Sequence, residues 1–251
     1  MKTKLILSGS NGAMGKIIAD RVALRSDCDI VAGIDISPVK YADFEVYPTP
    51  ESVPCAADVI IDFSHPTTVI PLLTMARQRR LPVVVCTTGL APEQLDVMHE
   101  ASKEIPIFYS GNMSLGINLM IALAQKAAAM LGDEFDIEII EKHHNRKLDA
   151  PSGTALMIAN AVNETLDNRC RFEYDRHVRR EKRPKNEIGI HAVRGGTIVG
   201  EHEILFSGPD EIVTISHSAR SRDVFATGAI NAAIFLRTQR PGLYDMADLL
   251  A

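Results

Sequence analysis

Cysteine is scarce in this chain of 251 residues. Its four copies are scattered at Cys28, Cys55, Cys86 and Cys170. They include no C-x-x-C pair, so the sequence predicts neither a zinc knuckle nor a disulfide framework. Such sparse usage is typical of proteins in a reducing compartment, and we expect a cytoplasmic location.

Long apolar runs are also missing. The longest stretch without a charge, residues 105–125, is interrupted by Pro106, Gly111 and Asn112, which argues against a bilayer-spanning helix. The apolar run near the first residue is too short for a secretory signal. We therefore expect neither a membrane partner nor export.

The charge balance is mildly acidic, with 27 Lys and Arg against 32 Asp and Glu. The most basic segment, residues 176–185, carries six of these cations but no interleaved aromatic residue. We interpret it as a solvated loop rather than a nucleic-acid-binding patch, and we expect no nucleic-acid partner.

The first half of the chain alternates short apolar runs with amphipathic segments. Strands are predicted at residues 5–7, 30–34, 59–63, 83–86 and 105–109, and helices at residues 14–24, 67–79 and 92–103. This β-α-β rhythm is typical of a doubly wound α/β fold with a parallel sheet.

The second half has a different pattern. Helices are predicted at residues 114–131 and 153–166, and strands at residues 135–141, 188–194, 197–206 and 211–217. Gly195-Gly196 and Gly208-Pro209-Asp210 separate the last three strands and are hairpin turn signals, which predict antiparallel pairing. We expect an α+β domain here. A helix at residues 223–236 and a segment at residues 242–250 then pack back on the first domain.

A G-x-x-G-x-x-G turn at residues 9–15 directly follows the first predicted strand and opens a helix. Its glycines allow a tight turn, and the helix N-terminus favours a pyrophosphate. Asp35 stands about 20 residues later, where it can accept hydrogen bonds from a ribose 2′-hydroxyl. The pattern favours dinucleotide binding; a structural glycine turn is the alternative.

Asp35 also bears on cofactor choice, because a carboxylate there repels a 2′-phosphate. The following residues, Ile36 and Ser37, offer no compensating cation. We therefore favour NADH over NADPH, with Lys16 and Lys40 as the cations that would reverse this preference.

Small polar residues follow two further strands, at residues 86–89 and 110–113. Ligands bind at the carboxyl ends of such strands, and these residue types suit a nicotinamide ribose and carboxamide. Plain turn chemistry explains them equally well.

The densest polar cluster, E-K-H-H-N-R-K-L-D-A-P-S-G-T-A, spans residues 141–155. His143 and His144 point to opposite sides of an extended backbone, so they disfavour a shared metal, and we predict no metal site. With Arg146 and Lys147 they form a positive site, as an anionic substrate requires.

Pro151 and Ser152 are predicted to start the next helix, leaving the amides of Gly153 and Thr154 for a carboxylate. A histidine and a lysine within one loop offer two proton donors, which the reduction of a conjugated imine needs. A solvated basic loop before an ordinary helix cap is the alternative.

Three histidines, His191, His202 and His217, fall on successive predicted strands. They lack close ligand spacing and acidic or cysteine company. We interpret them as hydrogen-bonded sheet or cleft histidines.

Residues 141–155 closely resemble the signature of the 4-hydroxy-tetrahydrodipicolinate reductase (dihydrodipicolinate reductase) family, and the likeness covers essentially the whole chain. The chain departs from the family pattern at Cys86, at Ser110-Gly111 and at Met113. The motifs that carry the likeness are the glycine turn, D-F-S at 62–64, T-T-G at 87–89, N-M-S-L-G at 112–116, V-R-G-G at 193–196, G-E-H at 200–202, A-R-S-R at 219–222 and F-A-x-G-A at 225–229.

The resemblance implies a Rossmann-type doubly wound parallel sheet with a second α+β domain containing an open mixed or antiparallel sheet. The dinucleotide-binding domain would cover residues 1–113, rejoined by residues 222–251. Residues 114–221 would bind substrate and build a homotetramer.

The resemblance also implies reduction of a small dicarboxylate with NADH or NADPH, in lysine and diaminopimelate biosynthesis. His143 and Lys147 would be the acid/base residues, with Lys147 the better proton donor, and His144, Gly153 and Thr154 would hold the carboxylates. The implied cofactor-binding residues are Gly9, Ser10, Asn11, Gly12, Ala13, Met14, Asp35, Cys86, Thr87, Thr88, Ser110, Gly111, Asn112 and Met113.

Two rivals remain open. Another small amino-acid dehydrogenase of this fold, such as an aspartate dehydrogenase, would explain the glycine turn and Asp35 but not the H-H-N-R-K segment. A cofactor-binding sensor without catalysis would not need His143 and Lys147.

Overall fold

The computed structural model describes residues 2–177 and 179–250. The chain divides into two compact units, one of residues 1–115 with 222–251 and one of residues 116–221. The strands are β1 (Thr3–Ser8), β2 (Cys28–Ile34), β3 (Glu45–Tyr47), β4 (Val59–Asp62), β5 (Val83–Val85), β6 (Pro106–Tyr109), β7 (Asp136–His143), β8 (Arg171–Glu173), β9 (Glu187–Arg194), β10 (Gly200–Ser207), β11 (Ile212–Ala219) and β12 (Gly242–Tyr244). The helices are α1 (Ala13–Ala23), α2 (Pro66–Arg79), α3 (Pro92–Ser102), α4 (Leu115–Leu131), α5 (Gly153–Thr165), α6 (Asp223–Leu236) and α7 (Met246–Leu250).

The first unit contains a parallel sheet in the order β12-β6-β5-β4-β1-β2-β3. Its central strands, β4 and β5, are buried on both faces, as parallel sheets require. Along β1, Leu5 and Leu7 join a core with α1 and α6, whereas Ile6 joins a core with α2 and α3. The predicted doubly wound α/β fold is confirmed, and β12 shows that the last segment does return to this sheet.

The second unit contains a mixed sheet in the order β11-β10-β7-β9-β8. β10 pairs antiparallel with β11 and β7, while β9 pairs parallel with β7 and β8. Helices α4 and α5 cover one face through a core that includes Met120, Ile139, Ile158 and Phe206. This is the α+β architecture expected of the second half.

One predicted pairing is wrong. β9 and β10 do not form a hairpin, because β7 lies between them. Gly195 donates its amide to the His143 carbonyl at 2.9 Å, and Gly196 accepts from the Asn145 amide at 3.3 Å. The glycine pair therefore carries the chain across the end of β7 instead of folding it back on β9. The second turn, between β10 and β11, is a hairpin as predicted.

The basic segment at residues 176–185 is not simply solvated; Val178, within it, lies outside the described residues. Arg176 bonds both Glu138, at 2.7 Å, and Glu187, at 2.6 Å. Arg183 bonds Glu138 at 2.9 Å. The Glu187 side chain is fully buried, and Arg176, together with Arg171 at 3.1 Å, supplies the charge that its burial requires.

Among residues 2–177 and 179–250, one helix, α4 with its following turn to Glu134, is long and apolar enough to cross a membrane by length and composition alone. Core helices pass the same test. In this unit Ile117, Met120 and Ala124 of α4 pack in the core beneath the mixed sheet. The uncharged run at residues 105–125 is itself divided between β6 and α4.

Helix α6 approaches the loop after β6 very closely at Gly228. A Cβ atom built there would lie 1.7 Å from the Met113 carbonyl oxygen, so backbone would have to move.

We predict that Gly228→Ala lowers the free energy of unfolding by about 3 kcal/mol or more through overpacking. Chemical denaturation would measure it. Gly195→Ala is the control, because an added Cβ there meets nothing within 4 Å; equal stability of the two variants would contradict the prediction.

Candidate functional site

The glycine turn after β1 is held by close backbone packing. Gly9 has φ +77°, and a Cβ there would lie 2.4 Å from the Phe63 carbonyl oxygen. A Cβ at Gly15 would lie 2.2 Å from the Gly9 oxygen. Glycine is therefore required at both positions, at Gly9 by its backbone conformation as well as by space.

Gly12 is the N-cap of helix α1 and provides no side-chain cap, and the first turn of the helix contains no acidic residue. Backbone N–H groups and the positive end of the helix dipole are thus available to an anion at this terminus. A pyrophosphate fits this chemistry, and the residues of the turn suit a dinucleotide.

Asp35 follows β2 and is fixed by two backbone amides. Its oxygens accept from the amides of Asn11 and Ser37, each at 3.0 Å. Asn11 in turn donates its side-chain amide to the Val39 carbonyl at 3.1 Å. The carboxylate is therefore held beside the glycine turn.

A cavity of about 600 Å³ opens at this edge of the sheet in the first unit. Its volume is in the range of small-molecule sites. Its lining residues include Gly9, Asn11, Gly12, Lys16, Asp35, Ile36, Ser37, Tyr41, Ser64 and His65. The glycine turn and Asp35 thus share one cavity.

A buried carboxylate lies at the end of the neighbouring strand β4. Asp62 is fully buried and accepts from the Thr87 hydroxyl at 2.7 Å and from the Ser64 amide at 3.3 Å. Burial raises the pKa of Asp62, and these hydrogen bonds oppose the rise. The hydrogen bond between Asp62 and Thr87 connects the ends of β4 and β5. The Thr87 side chain therefore points inward, whereas Thr88 is exposed.

Several predicted cofactor residues have side chains that belong to the protein core. The Ser10, Cys86 and Met113 side chains are buried, and burial raises the pKa of the Cys86 thiol. These positions offer backbone atoms rather than side chains to a ligand. Asn112 is also buried, and its side-chain oxygen accepts from the Ser114 amide at 2.9 Å. The exposed members of the set are Gly12, Ala13, Thr88 and Gly111, and Asn11, Met14 and Ser110 are half-buried.

In the second unit, the cluster at the end of β7 centres on a pair of buried side chains. Glu141 is fully buried, and its carboxylate lies 2.6 Å from Nδ1 of His143. Arg194 of β9 donates from both terminal nitrogens to the two oxygens of Glu141, each at 2.7 Å. Such a bidentate pair suits a desolvated carboxylate.

The start of α5 is bonded to the same carboxylate. The Ser152 amide donates to Glu141 at 3.0 Å, and the Ser152 hydroxyl accepts from the Ala155 amide at 3.1 Å. Ser152 is thus the N-cap, as predicted. Gly153 and Thr154 form the first turn, which contains no acidic residue.

His202 of β10 completes the cluster. Its Nε2 lies 3.0 Å from the Ser152 hydroxyl, and its ring meets the His143 ring edge-on with centroids 5.2 Å apart. Burial, with the neighbouring His143, lowers the pKa of His202 to about 4. His191 bonds Glu138 at 2.8 Å, so hydrogen-bonded roles are confirmed for these two histidines.

The loop after β7 carries the remaining predicted residues. Lys147 is mostly buried and pairs with Asp149 at 2.9 Å, which lowers the pKa of that carboxyl. His144 is half-buried. Within residues 2–177 and 179–250, no group of three or more His, Cys, Asp or Glu is placed to hold a metal ion.

The sequence patterns predict no role for Asp62, Glu141 or Arg194. A signal existed for Glu141, because residues two apart on a strand share a face and His143 was already a candidate. The signal for Arg194 is its register opposite His143, which only the parallel pairing of β7 with β9 reveals.

Comparisons with known proteins agree along the whole chain. The family model described as dihydrodipicolinate reductase, N-terminus, matches residues 3–113, and the one described as dihydrodipicolinate reductase, C-terminus, matches residues 116–250. A 4-hydroxy-tetrahydrodipicolinate reductase from Caldanaerobacter subterraneus subsp. tengcongensis is 54% identical over 250 residues, covering 100% of this chain and 99% of the relative. One from Clostridium novyi is 46% identical, covering 99% and 98%.

Among solved structures, the chain is similar to a dipicolinate-bound dihydrodipicolinate reductase from Paenisporosarcina sp. TG-14. The TM-score is 0.82 at 28% identity, and the match covers 98% of each chain.

The buried His202 has a consequence for stability. Its pKa of about 4 lies below the ordinary value of 6.5, so between these values the unfolded chain binds a proton that the folded chain does not. We predict that the free energy of unfolding falls as pH drops through this interval, by up to about 1.4 kcal/mol per pH unit. Chemical denaturation at several pH values would measure the slope.

In His202→Gln this part of the slope should disappear. In His177→Gln it should persist, because that histidine is exposed. A slope that His202→Gln leaves unchanged would contradict the assignment.

Proposed function

Because the chain belongs to the dihydrodipicolinate reductase family, we propose that it reduces 4-hydroxy-tetrahydrodipicolinate to tetrahydrodipicolinate with a nicotinamide cofactor. The resemblance drawn from the sequence is confirmed, and members of this family are NAD(P)H-dependent oxidoreductases. The observation that carries the proposal is the cluster of His143, Lys147 and the α5 N-terminus in one segment. Neither rival function accounts for this cluster.

The second unit would bind the substrate. Dipicolinate, the ligand of the related structure, is a dicarboxylate, and the positive loop after β7 suits one. We assign one carboxylate to the amides of Gly153 and Thr154 at the first turn of α5, where the substrate would replace the Asp149 carboxylate that bonds the Gly153 amide. His144 would contribute to holding the carboxylates, on the other side of the chain from His143.

The acid/base work falls to His143 and Lys147. When bound, the reduced nicotinamide supplies a hydride to C4 of the conjugated imine that remains after the hydroxylated ring has lost water. Lys147, itself half-buried on an otherwise exposed loop, would donate the proton that completes the reduction, with His143 as the second proton-exchanging group. The Lys147 ammonium lies 2.9 Å from the Asp149 carboxylate.

The first unit would bind the cofactor. The glycine turn and the α1 N-terminus would receive the pyrophosphate, and Asp35 the adenosine ribose. Thr87 and Thr88, together with backbone atoms of residues 110–113, would lie toward the nicotinamide end. The separation into a dinucleotide-binding unit and a substrate-binding unit is part of this proposal.

Asp35 supports a preference for NADH. Its carboxylate is held at the cavity by the Asn11 and Ser37 amides, where a 2′-phosphate would be repelled. Lys40 pairs with Glu45 and is not part of the cavity lining. Lys16 does line the cavity and is the cation that would oppose this preference.

A homotetramer formed through the mixed sheet is also part of the proposal. The sheet face opposite α4 and α5 carries apolar side chains that are half-buried or exposed in one chain. These are Ile140, Val193, Leu205 and Ile212. Burial of such a face against other copies would remove it from water. The cytoplasmic location stays an expectation.

The test is cofactor oxidation with 4-hydroxy-tetrahydrodipicolinate generated in place by a synthase from pyruvate and aspartate semialdehyde. Oxidation of NADH or NADPH that depends on this substrate is the expected result. A folded protein that binds NADH but oxidises neither cofactor would refute the reductase function. Oxidation dependent instead on a 2-oxo acid and ammonia would favour the dehydrogenase rival.

We predict that Lys147→Ala lowers kcat by about 100-fold or more, the usual scale of lost acid catalysis, while NADH binding changes little. The lysine would act on the substrate, so cofactor affinity should not depend on it. Steady-state kinetics and NADH fluorescence titration would measure the two effects. Lys126→Ala, on the exposed face of α4, is the control. Equal losses in kcat and NADH affinity would indicate a structural role instead.

We predict that Asp35→Ala shifts the ratio of kcat/KM for NADH over NADPH toward NADPH by about tenfold or more. Removing the carboxylate takes away repulsion of a 2′-phosphate together with hydrogen bonds to the ribose, worth about 1.4 kcal/mol in all. Asp96→Ala, an exposed position on α3, is the control. An unchanged ratio would refute the role of Asp35.

A further inference from the structure

Glu141 is a buried acidic group that the reaction as described does not use. Its side chain is fully buried on the core face of β7, two residues before His143. Burial opposes ionisation, but hydrogen bonds from Arg194, His143 and Ser152 outweigh it and lower the pKa of Glu141. Glu141 is therefore an anion at neutral pH.

Four N–H groups surround this carboxylate. Oε2 lies 2.6 Å from His143 Nδ1 and 2.7 Å from one Arg194 nitrogen. Oε1 accepts from the other Arg194 nitrogen at 2.7 Å and from the Ser152 amide at 3.0 Å. Because an ionised carboxylate has no proton to donate, the short contact requires His143 to carry its proton on Nδ1.

We infer that Glu141 is a positioning residue, which holds His143 in the Nδ1-protonated form so that Nε2 is the atom that exchanges a proton with substrate. The ring has little freedom to do otherwise. The His202 ring meets the His143 ring edge-on, while Gly200 leaves room at Nε2, because a Cβ added there would lie 3.1 Å from it. Nδ1 is tied to Glu141, so only Nε2 remains for chemistry.

The same carboxylate also sets where α5 begins. The Ser152 amide that donates to Glu141 directly precedes Gly153 and Thr154, the two proposed carboxylate-binding positions. One buried anion therefore links the acid/base imidazole to the anion-binding helix terminus. This inference rests on the proposed function for the identity of the substrate, but the orientation of His143 does not.

The groups around His143 define the variants. Glu141 accepts the hydrogen bond from Nδ1, and Arg194 holds the same carboxylate. The other titratable groups of this cluster are Lys147, Asp149, His202 and His217. Glu141→Gln removes the charge that fixes Nδ1, whereas Arg194→Gln leaves that carboxylate in place.

The first experiment measures kcat and KM in both variants. A misoriented imidazole should impair proton exchange, so Glu141→Gln should lower kcat by about tenfold or more while the KM for the cofactor changes little. Arg194→Gln keeps the carboxylate beside Nδ1 and should lower kcat less. Glu164→Gln, an exposed position on α5, should leave both parameters unchanged. An unchanged kcat in Glu141→Gln, or an equal loss of cofactor affinity, would overturn the inference.

The second experiment needs no substrate. Nitrogen-15 NMR of histidine-labelled protein, with the His143 signals identified by their loss in His143→Gln, should show Nδ1 protonated and Nε2 unprotonated in the neutral ring. In Glu141→Gln the Nε2-protonated form should appear, because one amide oxygen cannot serve four N–H donors.

If Glu141→Gln does not fold, the wild-type spectrum still decides. A neutral His143 protonated on Nε2 would overturn the inference directly. Failure of the cofactor-oxidation assay alone would refute the proposed function and leave the NMR result intact, so the two proposals fail separately.

Discussion

A carboxylate taken out of water must be given hydrogen-bond donors, and this constraint organises the strand ends in both units. In the second unit Glu141 is hydrogen-bonded to His143, Ser152 and Arg194, which lie on three different elements. In the first unit Asp62 accepts hydrogen bonds from Thr87 and Ser64. Each carboxylate fixes loops that the proposed chemistry needs.

The two units each contain a helix N-terminus that suits an anion, one for the cofactor and one for the substrate. A helix terminus without an acidic residue in its first turn occurs at α1 and again at α5, one suited to pyrophosphate and the other to a substrate carboxylate. The caps differ, because Gly12 lets backbone come close whereas Ser152 also bonds His202. The acid/base cluster is thus hydrogen-bonded to the N-terminus of α5.

Much of this was accessible from local pattern. Apolar runs that alternate with amphipathic segments predict the parallel sheet, because both of its faces must be covered. Three strands, β3, β8 and β12, were not predicted, because each has only three residues and lies at the edge of its sheet. The pairing of β9 was mistaken, because a glycine pair indicates a turn but not which strand lies beside it.

The sequence by itself determined the family, the doubly wound fold and the identity of the candidate residues, because glycine turns, strand-end carboxylates and the H-H-N-R-K segment are local features. Only the tertiary structure decided that Arg194 faces His143 and that Glu141 bonds the start of α5. It also decided that Cys86 and Met113 turn their side chains into the core. These contacts join residues far apart in the chain, so strand order and burial create them, and no local pattern encodes either.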